Sequence, residues 1–449
     1  MKLFSRALAI IYLIAFVSFA VQAQGLIGSQ GILPLEPFLG AVWQQVGSGA
    51  FWSVPTLFWW WHSDFALVAI PWIGAAIAVA AALLPAHGAL QRIAFALLWF
   101  GYLSLVGAGQ VFMGYQWDYL LLEAGFLAIF LTPDPLRVLL LQWLLFRLMF
   151  ESGVVKLTSH DPTWRNLTAL TYHYWTQPLP TILAWFADKA PLWFQNASCA
   201  VVFVVELAVP FLIFGTRIMK RIAAVAIIAL QVLIMATGSY TFFNLLTIAL
   251  CIPLGLPRKL PPSKPVRSNI YVSGALILLI FGFSVISLTA MAGLPTPAFA
   301  DRIAPFGIVN TYGLFASMTT QRIEIDVQGS NDGTNWQSYA FRYKPGNLNR
   351  APVLAEPYQP RLDWQMWFAA LGNFQENVWF QHFALRLLQA SPPVLALLEH
   401  DPFGGKPPKY IRALAYQYRF SDRQILRTKG EWWTRRPAGD YFPTVSLKH

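Results

Sequence analysis

The sequence predicts a polytopic α-helical membrane protein of about eight to nine spans, followed by an outward-facing C-terminal α+β domain. Of its 449 residues, 56% are hydrophobic and only 12% are charged, whereas soluble proteins carry about 25% charge. The composition also changes after Pro297, where short alternating patterns replace long apolar runs. The net charge of +11 does not indicate a nucleic-acid partner, because Lys and Arg cluster at span ends and in the last third of the chain.

Nine apolar segments are expected to form a membrane domain over residues 1–293. They lie near residues 4–23, 65–84, 93–113, 119–132, 137–156, 191–214, 220–237, 241–257 and 270–292. Two of them, 119–132 and 241–257, are short, so we expect them to tilt little or to be partly re-entrant. The first segment ends near a small-residue pattern at 21–23 that would also suit a cleaved signal peptide, but we favour a retained span.

The positions of basic residues predict the orientation of these spans. They fall in alternate loops, which the positive-inside rule makes cytoplasmic: Lys2, Arg6, His87, Arg92, Arg137, Arg217, Lys220, Arg221, Arg258, Lys259, Lys264 and Arg267. The N terminus is then cytoplasmic, and the 24–64 loop, the 157–190 loop and everything after about Gly293 face outward. This describes a bacterial inner-membrane protein with a periplasmic C-terminal domain, or an endoplasmic reticulum protein if the chain is eukaryotic.

Residues 298–449 are predicted to form an extracytoplasmic, β-rich domain. Polar and apolar residues alternate over 321–328 and 336–343, and Asp332-Gly333 lies between them. An Asp-Gly turn between alternating runs is typical of a β-hairpin. Further strands are expected at 410–420 and 431–434, and short helices at 364–371 and 377–390. The expected architecture is a β-sandwich decorated with helices.

Charged residues inside apolar segments are candidate functional residues, because a charge at mid-bilayer costs about 2.5–3.5 kcal/mol on insertion scales. Arg147 and Glu151 share a helix face and are expected to pair, while Lys156 is expected to snorkel to the outer boundary. If the protein is an enzyme, its catalytic candidates converge on an intramembrane pocket for a lipid-like or quinone-like substrate: Glu123, Arg147, Glu151, Lys156 and His173. We favour the alternative, in which these charges and Glu206 form internal ion pairs that set the helix register.

The sequence offers no familiar catalytic or metal-binding motif. The spacing of His160 and His173 fits no metal pattern, and Cys199 and Cys251 lie within apolar spans. Serine-hydrolase elbows, zinc-protease motifs and phosphate-binding glycine loops are missing from the sequence. We therefore expect no metal and no cofactor.

Two aromatic and polar stretches are candidates for client binding or for docking between the domains. One is the 157–190 loop, where the run 167–175 is expected to form an amphipathic helix along the outer surface. The other is 359–368, where Arg361 and Asp363 are expected to pair locally. Trp and Arg dominate interface hot spots, so a client-binding face and a docking surface are equally consistent with these stretches. The candidate residues are Asp118, which lies outside the two stretches, and Trp164, Tyr174, Gln177, Arg361, Asp363, Trp364 and Trp367.

Several blocks in this order resemble the lipase maturation factor family over nearly the whole length. The blocks are Gln116–Glu123, Phe146–Phe150, Gly153–Leu157, Trp164–Thr168, Tyr172–Tyr174, Thr176–Pro180, Glu206–Phe211, Thr237–Tyr240, Phe242–Asn244, Tyr343–Gly346 and Gln359–Phe368. The resemblance implies a chaperone-like membrane protein that assists folding or assembly of exported clients, among them secreted homodimeric lipases. Trp175 stands where the family pattern leads us to expect an acid. The outward regions contain no cysteine, which argues against thiol exchange and, with the compact loops, favours a bacterial member.

Two other functions remain as alternatives. The helical part is also similar to vitamin K-dependent carboxylases, an analogy of fold alone that implies a membrane enzyme. Its candidate residues would then line one shared cavity rather than pair in a dry core. A transporter has less support, because the two halves of the chain show no symmetry.

Overall fold

A computed structural model describes residues 1–86, 88–131, 135–255, 270–291, 293–295 and 297–447. Within them, seven helices are long and apolar enough to cross a membrane, which confirms a multi-pass membrane protein. His87, Arg258, Lys259, Lys264 and Arg267, which contributed to the predicted orientation, lie outside the described residues.

The predicted apolar segments appear as nine helical segments of the described chain. They are α1 (Lys2–Ala20), α2 (Asp64–Leu83), α3 (Ala89–Ala108), α4 (Gln116–Ile129), α5 (Pro135–Thr158), α7 (Leu192–Phe203), α8 (Arg217–Thr237), α9 (Phe243–Cys251) and α10 (Ile270–Met291), with the short helix α6 (Leu170–Thr176) between α5 and α7. Helix α7 continues through a π-helical turn, Val204–Ala208, into a 3₁₀ segment, Val209–Phe214. Because α4 has 14 residues, it is roughly 21 Å long and shorter than the hydrocarbon core.

Helix α1 lies at the centre of the membrane bundle. Phe4, Leu8, Tyr12 and Phe16 are fully buried, and α1 packs along α2. The contact is close at Gly74, where an added Cβ would lie 2.6 Å from Cδ1 of Phe16. By contrast, only 17% of the residues in the apolar stretches of α8 and α10 are buried. Most of the surface of these two helices therefore faces lipid.

The 24–64 loop contains short helices rather than irregular chain. They are Ala23–Ile27, Leu35–Val46 and Ala50–Ser53. Trp60 and Trp61 are exposed, as an aromatic belt at the membrane interface requires.

The C-terminal region contains one antiparallel sheet in the order β2-β1-β3-β4. The strands are β1 (Arg322–Ser330), β2 (Gln337–Ser338), β3 (Tyr410–Phe420) and β4 (Trp433–Val445). The β1–β2 hairpin is confirmed, and its turn is closed by Asp332, whose carboxylate accepts N–H bonds from Thr334 and Asn335 at 2.8 and 2.7 Å. Strand β4 is far longer than the predicted 431–434.

The C-terminal sheet faces helices, not the second sheet that a β-sandwich requires. In the described residues these are α11 (Arg361–Ala369), which contacts β1, and α12 (Val378–Leu388), which contacts β3. The aromatic face of α12 explains the difference, because Phe380 packs against Tyr441 and Phe442 of β4 and fills the space where a second sheet would lie. The α+β class is confirmed, and its architecture is a helix-covered sheet.

Candidate functional site

A buried ion pair joins the C-terminal region to the membrane helices. Asp118 lies in the first turn of α4 and Arg361 begins α11, and both side chains are fully buried. Their atoms form two bonds, Nη2 to Oδ1 at 3.0 Å and Nη1 to Oδ2 at 3.1 Å. Arg361 also donates to the carbonyl of Phe112, and the hydroxyl of Tyr102 donates to Asp118. Most polar atoms of the pair are therefore hydrogen-bonded, which offsets much of the cost of burying the two charges, although Nε of Arg361 is without a partner.

The predicted local pairing of Arg361 with Asp363 is wrong. Residues two apart on a helix do not face each other, and Asp363 instead accepts N–H bonds from Tyr343 and Lys344, both at 2.8 Å. Burial raises the pKa of Asp363 above its ordinary value, although these backbone donors oppose the shift.

The backbone at the start of the 359–368 stretch binds the end of α1 and the residue Gln22 that follows it. The N–H of Gln359 donates to Ser18 at 2.9 Å, and Gln22 bonds both the carbonyl of Gln359 and the N–H of Arg361. Trp364 is buried against Trp117, with ring centroids 4.7 Å apart. A client has no access to these groups in this arrangement.

The 157–190 loop is also held by the C-terminal region. Trp367 donates to the carbonyl of Thr176 at 2.8 Å, and Trp164 donates to that of Phe315 at 2.9 Å. The guanidinium of Arg322 donates to three carbonyls of this loop, those of Trp175, Gln177 and Pro178.

The predicted surface helix at 167–175 is wrong, since α6 is packed inside the protein. Tyr174 and Trp175 are buried in one apolar cluster with Tyr418 and Trp433 of the sheet. Gln177, also buried, accepts a bond from the hydroxyl of Tyr240 at 2.8 Å and donates to the carbonyls of Tyr174 and Thr237.

A second group of charges, here called the ion cluster, comprises Glu123, Arg147, Glu151, Asn310 and Tyr312. The predicted pair of Arg147 with Glu151 is wrong, because Arg147 forms its ion pair with Glu123 of α4 and donates to the carbonyl of Asn310 at 2.9 Å. Tyr312 explains this choice. Its hydroxyl donates to Glu123 at 2.7 Å and its N–H donates to Glu151 at 2.9 Å, so each acid has a separate donor.

Sequence reasoning missed Asn310 and Tyr312. Two flanking glycines are a signal that could have revealed them. A Cβ at Gly313 would lie 2.8 Å from Cγ2 of Val155, and one at Gly307 would lie 2.8 Å from Cδ1 of Leu122. Both glycines therefore permit a close approach of this segment to α4 and α5.

The third group surrounds a cavity of about 110 Å³ beside Lys156. The prediction that Lys156 snorkels outward is wrong. Its ammonium is buried, lies 2.8 Å from Oε2 of Glu206 and donates to the carbonyl of Ser152 at 3.0 Å. Glu206 belongs to the π-helical turn, a distortion that often occurs at functional sites.

His173 also lines this cavity, and its Nε2 lies 3.4 Å from the hydroxyl of Tyr240. Burial, with the nearby charge of Lys156, lowers the pKa of His173 to about 4. Its imidazole is therefore neutral at physiological pH.

The five catalytic candidates do not share one pocket. Lys156 and His173 line the cavity, whereas Glu123, Arg147 and Glu151 belong to the ion cluster. Within the described ranges, no group of three or more His, Cys, Asp or Glu residues is placed to hold a metal ion.

Comparison with known proteins gives concordant matches over both regions. Residues 1–256 match the family model of the lipase maturation factor transmembrane domain, and residues 308–443 match that of the lipase maturation factor C-terminal domain. Lipase maturation factor 2 of Homo sapiens is 34% identical, with 99% of this chain and 82% of the relative aligned.

Lipase maturation factor 1 of Bos taurus is also 34% identical, over 98% of this chain and 88% of the relative. The Mus musculus protein of the same name is 33% identical, over 99% and 86%. No solved structure gives a significant match.

Proposed function

Because this chain belongs to the lipase maturation factor family, we propose that it is a membrane-bound factor that assists the folding or assembly of an exported lipase. The observation that carries this proposal is the buried Asp118–Arg361 pair. This pair holds the C-terminal region against the membrane helices. In that position the C-terminal region can meet a client as the client leaves the membrane.

The proposed orientation places the N terminus in the cytoplasm and the C-terminal region, residues 298–449, outside. The contacts support it. The C-terminal region binds the chain at 18–31, 112–118, 164–178 and 239–240, and the positive-inside rule assigns all four stretches to the outward side. In a bacterium, this side is the periplasm.

We assign a docking role, rather than client binding, to Asp118, Trp164, Tyr174, Gln177, Arg361, Asp363, Trp364 and Trp367. For the client we propose a cleft of about 600 Å³ in the C-terminal region. Its wall carries both signs of charge, including Asp326, Arg350, Glu399 and Arg435. Such a surface can bind the polar backbone and charged side chains of an incompletely folded chain.

The membrane-enzyme alternative has less support. It requires Glu123, Arg147, Glu151, Lys156 and His173 in one pocket, whereas Glu123 and Arg147 are paired in a region of their own. A charge that is fully paired is a poor general acid or base.

The experiment is rescue of lipase secretion in cells that lack their own maturation factor. We expect the full chain to restore the specific activity of a co-expressed secreted lipase, measured as activity per unit of lipase antigen. Asn349→Arg, which places a large side chain in the exposed part of the cleft, should reduce the rescue. Asn331→Arg, at an exposed position outside the cleft, is the matched control. If the wild-type chain reaches the membrane at a normal level without any rescue, the proposal is wrong.

A further inference from the structure

We propose that the cavity beside Lys156 binds a neutral, single-chain amphiphile whose head carries hydroxyl groups, of the monoacylglycerol class. This ligand site is separate from the cleft that we propose for the client. Four properties of the cavity point to this ligand: its shape, its charge, its vacant hydrogen-bonding atoms and its access to lipid.

The walls of the cavity are mainly apolar. Helices α5, α8 and α9, the end of α7 and the Leu314–Phe315 segment enclose it, and the apolar lining includes Met149, Val202, Leu230, Ile234, Phe243 and Phe315. A mostly apolar pocket with a few converging polar groups is typical of a site for a small amphiphilic molecule. At about 110 Å³ the cavity has room for the hydroxyl-bearing head but not for an acyl chain, so the chain would extend from the cavity into the bilayer.

The charges that line the cavity cancel. Lys156 and Glu206 form an ion pair, and His173 is neutral at physiological pH. Lys156 has little remaining capacity to bind an anion, because its ammonium already contacts Glu206, the carbonyl of Ser152 and, at 5.4 Å, the ring of Trp164. A carboxylate or phosphate head would therefore meet no free positive charge.

Two amide side chains in the wall are incompletely bonded. Asn244 donates through Nδ2 to Oε1 of Gln231 at 2.7 Å, but its own Oδ1 is buried and has no partner. The Nε2 of Gln231 is 4.0 Å from the sulfur of Met149, which is a weak acceptor.

The wall thus offers one acceptor without a partner, Oδ1 of Asn244, beside one weakly bonded donor, Nε2 of Gln231. A hydroxyl group both donates and accepts, so it can satisfy Asn244 and Gln231 together. A carboxylate only accepts, and an ammonium only donates. This pattern selects a hydroxyl-bearing head over either charged class.

Lipid can reach the cavity between α7 and α8. Both helices present apolar side chains to the bilayer, with Val201 and Leu233 exposed. Helix α8 packs mainly against the Val204–Phe214 half of the preceding segment rather than against Leu192–Phe203. The opening between α7 and α8 is therefore on the side of the bundle that faces lipid.

The test uses the full chain in lipid nanodiscs and a monoacylglycerol with a photoreactive diazirine in its acyl chain. We expect crosslinks in α7 and α8, beside the opening, that excess monoacylglycerol removes. The fatty acid of the same chain length and its methyl ester should not compete, since neither offers a hydroxyl at neutral pH. Asn244→Leu, which deletes the vacant acceptor, should weaken binding roughly tenfold.

A second pair of variants separates ligand binding from folding. Ile234→Trp fills the cavity and should abolish specific crosslinking, whereas Leu233→Trp, the adjacent residue that faces lipid, should not. The inference is overturned if crosslinks spread evenly over the lipid-facing helices, if the fatty acid competes as well as the monoacylglycerol, or if Ile234→Trp leaves labelling unchanged. None of these outcomes bears on rescue of lipase secretion, which tests the proposed function separately.

Discussion

The ion cluster and the cavity use charged residues of the same helix in different ways. Arg147 and Lys156 both belong to α5, and each forms an ion pair with a Glu from another segment of the bundle. Around Arg147, the carbonyl of Asn310 and the hydroxyl and N–H of Tyr312 supply most of the remaining bonds, although Nε of Arg147 and Oε1 of Glu151 are without a partner. Around Lys156 there is open space, with an unpartnered amide oxygen in the wall.

This difference shows that a charge within a membrane bundle does not by itself mark an active site. Where a chain segment supplies most of the remaining bonds and leaves no open space, as Asn310 and Tyr312 do, the charge holds two regions together. Where bonds stay vacant beside an apolar space, the same kind of charge belongs to a binding site. Substitutions at residues of the two groups can test this distinction.

Arg361→Leu should have the largest effect on stability. It leaves the buried carboxyl of Asp118 without its ion-pair partner and with Tyr102 as its remaining side-chain donor, and breaking a buried pair in this way costs about 3–5 kcal/mol. The measurement is the free energy of unfolding of the full chain in detergent, together with the rate at which protease cleaves residues after 297.

The double variant Asp118→Leu with Arg361→Leu provides the control. Since it removes both charges, it should recover most of the lost stability. Glu399→Gln, at the exposed pair with Arg350, should change stability by less than about 1 kcal/mol. Equal losses in all three proteins would show that burial of the pair is not what matters.

Glu123→Gln and Glu151→Gln should differ, although both acids belong to the ion cluster. Glu123→Gln leaves Arg147 buried without its ion pair, and we expect a loss of about 2–3 kcal/mol. Glu151→Gln retains an oxygen for the N–H of Tyr312 and replaces a carboxylate whose Oε1 has no partner, so we expect a change within about 1 kcal/mol. Thermal unfolding of the two variants, followed by tryptophan fluorescence, checks this order.

Composition and local pattern were enough to predict the membrane helices and most of the strands of this fold. Apolar runs located the membrane helices, and β3 begins and ends at Tyr410 and Phe420 as the alternation indicated. These features depend on neighbours in sequence, through helical or strand periodicity. The same reasoning identified the charges that need partners.

Local pattern could not predict which partners those charges take. Arg147, Lys156 and Arg361 were each assigned a partner or a destination nearby, and each binds a residue at least 24 positions away. A nearby partner satisfies one bond of a buried charge, whereas every bond that burial leaves unsatisfied costs free energy, so further partners are needed. Only the folded chain shows that segments such as 310–312 supply the rest.

The contact between the C-terminal region and Tyr240, a residue that lines the cavity, should respond to pH through Glu356. Its carboxyl accepts the N–H of Tyr240 at 2.6 Å, and burial raises its pKa from 4.5 to about 8. Because the folded state holds this proton more tightly, the contribution to stability is fully present below about pH 4.5 and is lost as pH rises through about 8. We expect a loss of about 1 kcal/mol, reduced by partial exposure to solvent.

Glu356→Gln should remove this part of the pH dependence, measured as the unfolding midpoint between pH 5 and pH 9. Glu376→Gln, at an exposed position of the same region, should leave the profile unchanged. A profile that is the same in wild type and Glu356→Gln would mean that this carboxyl is ionised in the folded protein.

Asn244→Leu should have the smallest effect on stability. It also separates the cavity from the ion cluster, because only a structural residue should lose much stability when it is replaced. The substitution removes one hydrogen bond to Gln231 but also removes the buried, unpartnered Oδ1. These changes oppose each other, so we expect the free energy of unfolding to change by less than about 1 kcal/mol. The same type of change at Asp118 or Glu123 removes a partner that the fold requires. A large loss of stability in Asn244→Leu would therefore place Asn244 with the ion cluster, as a structural residue, and not with the cavity.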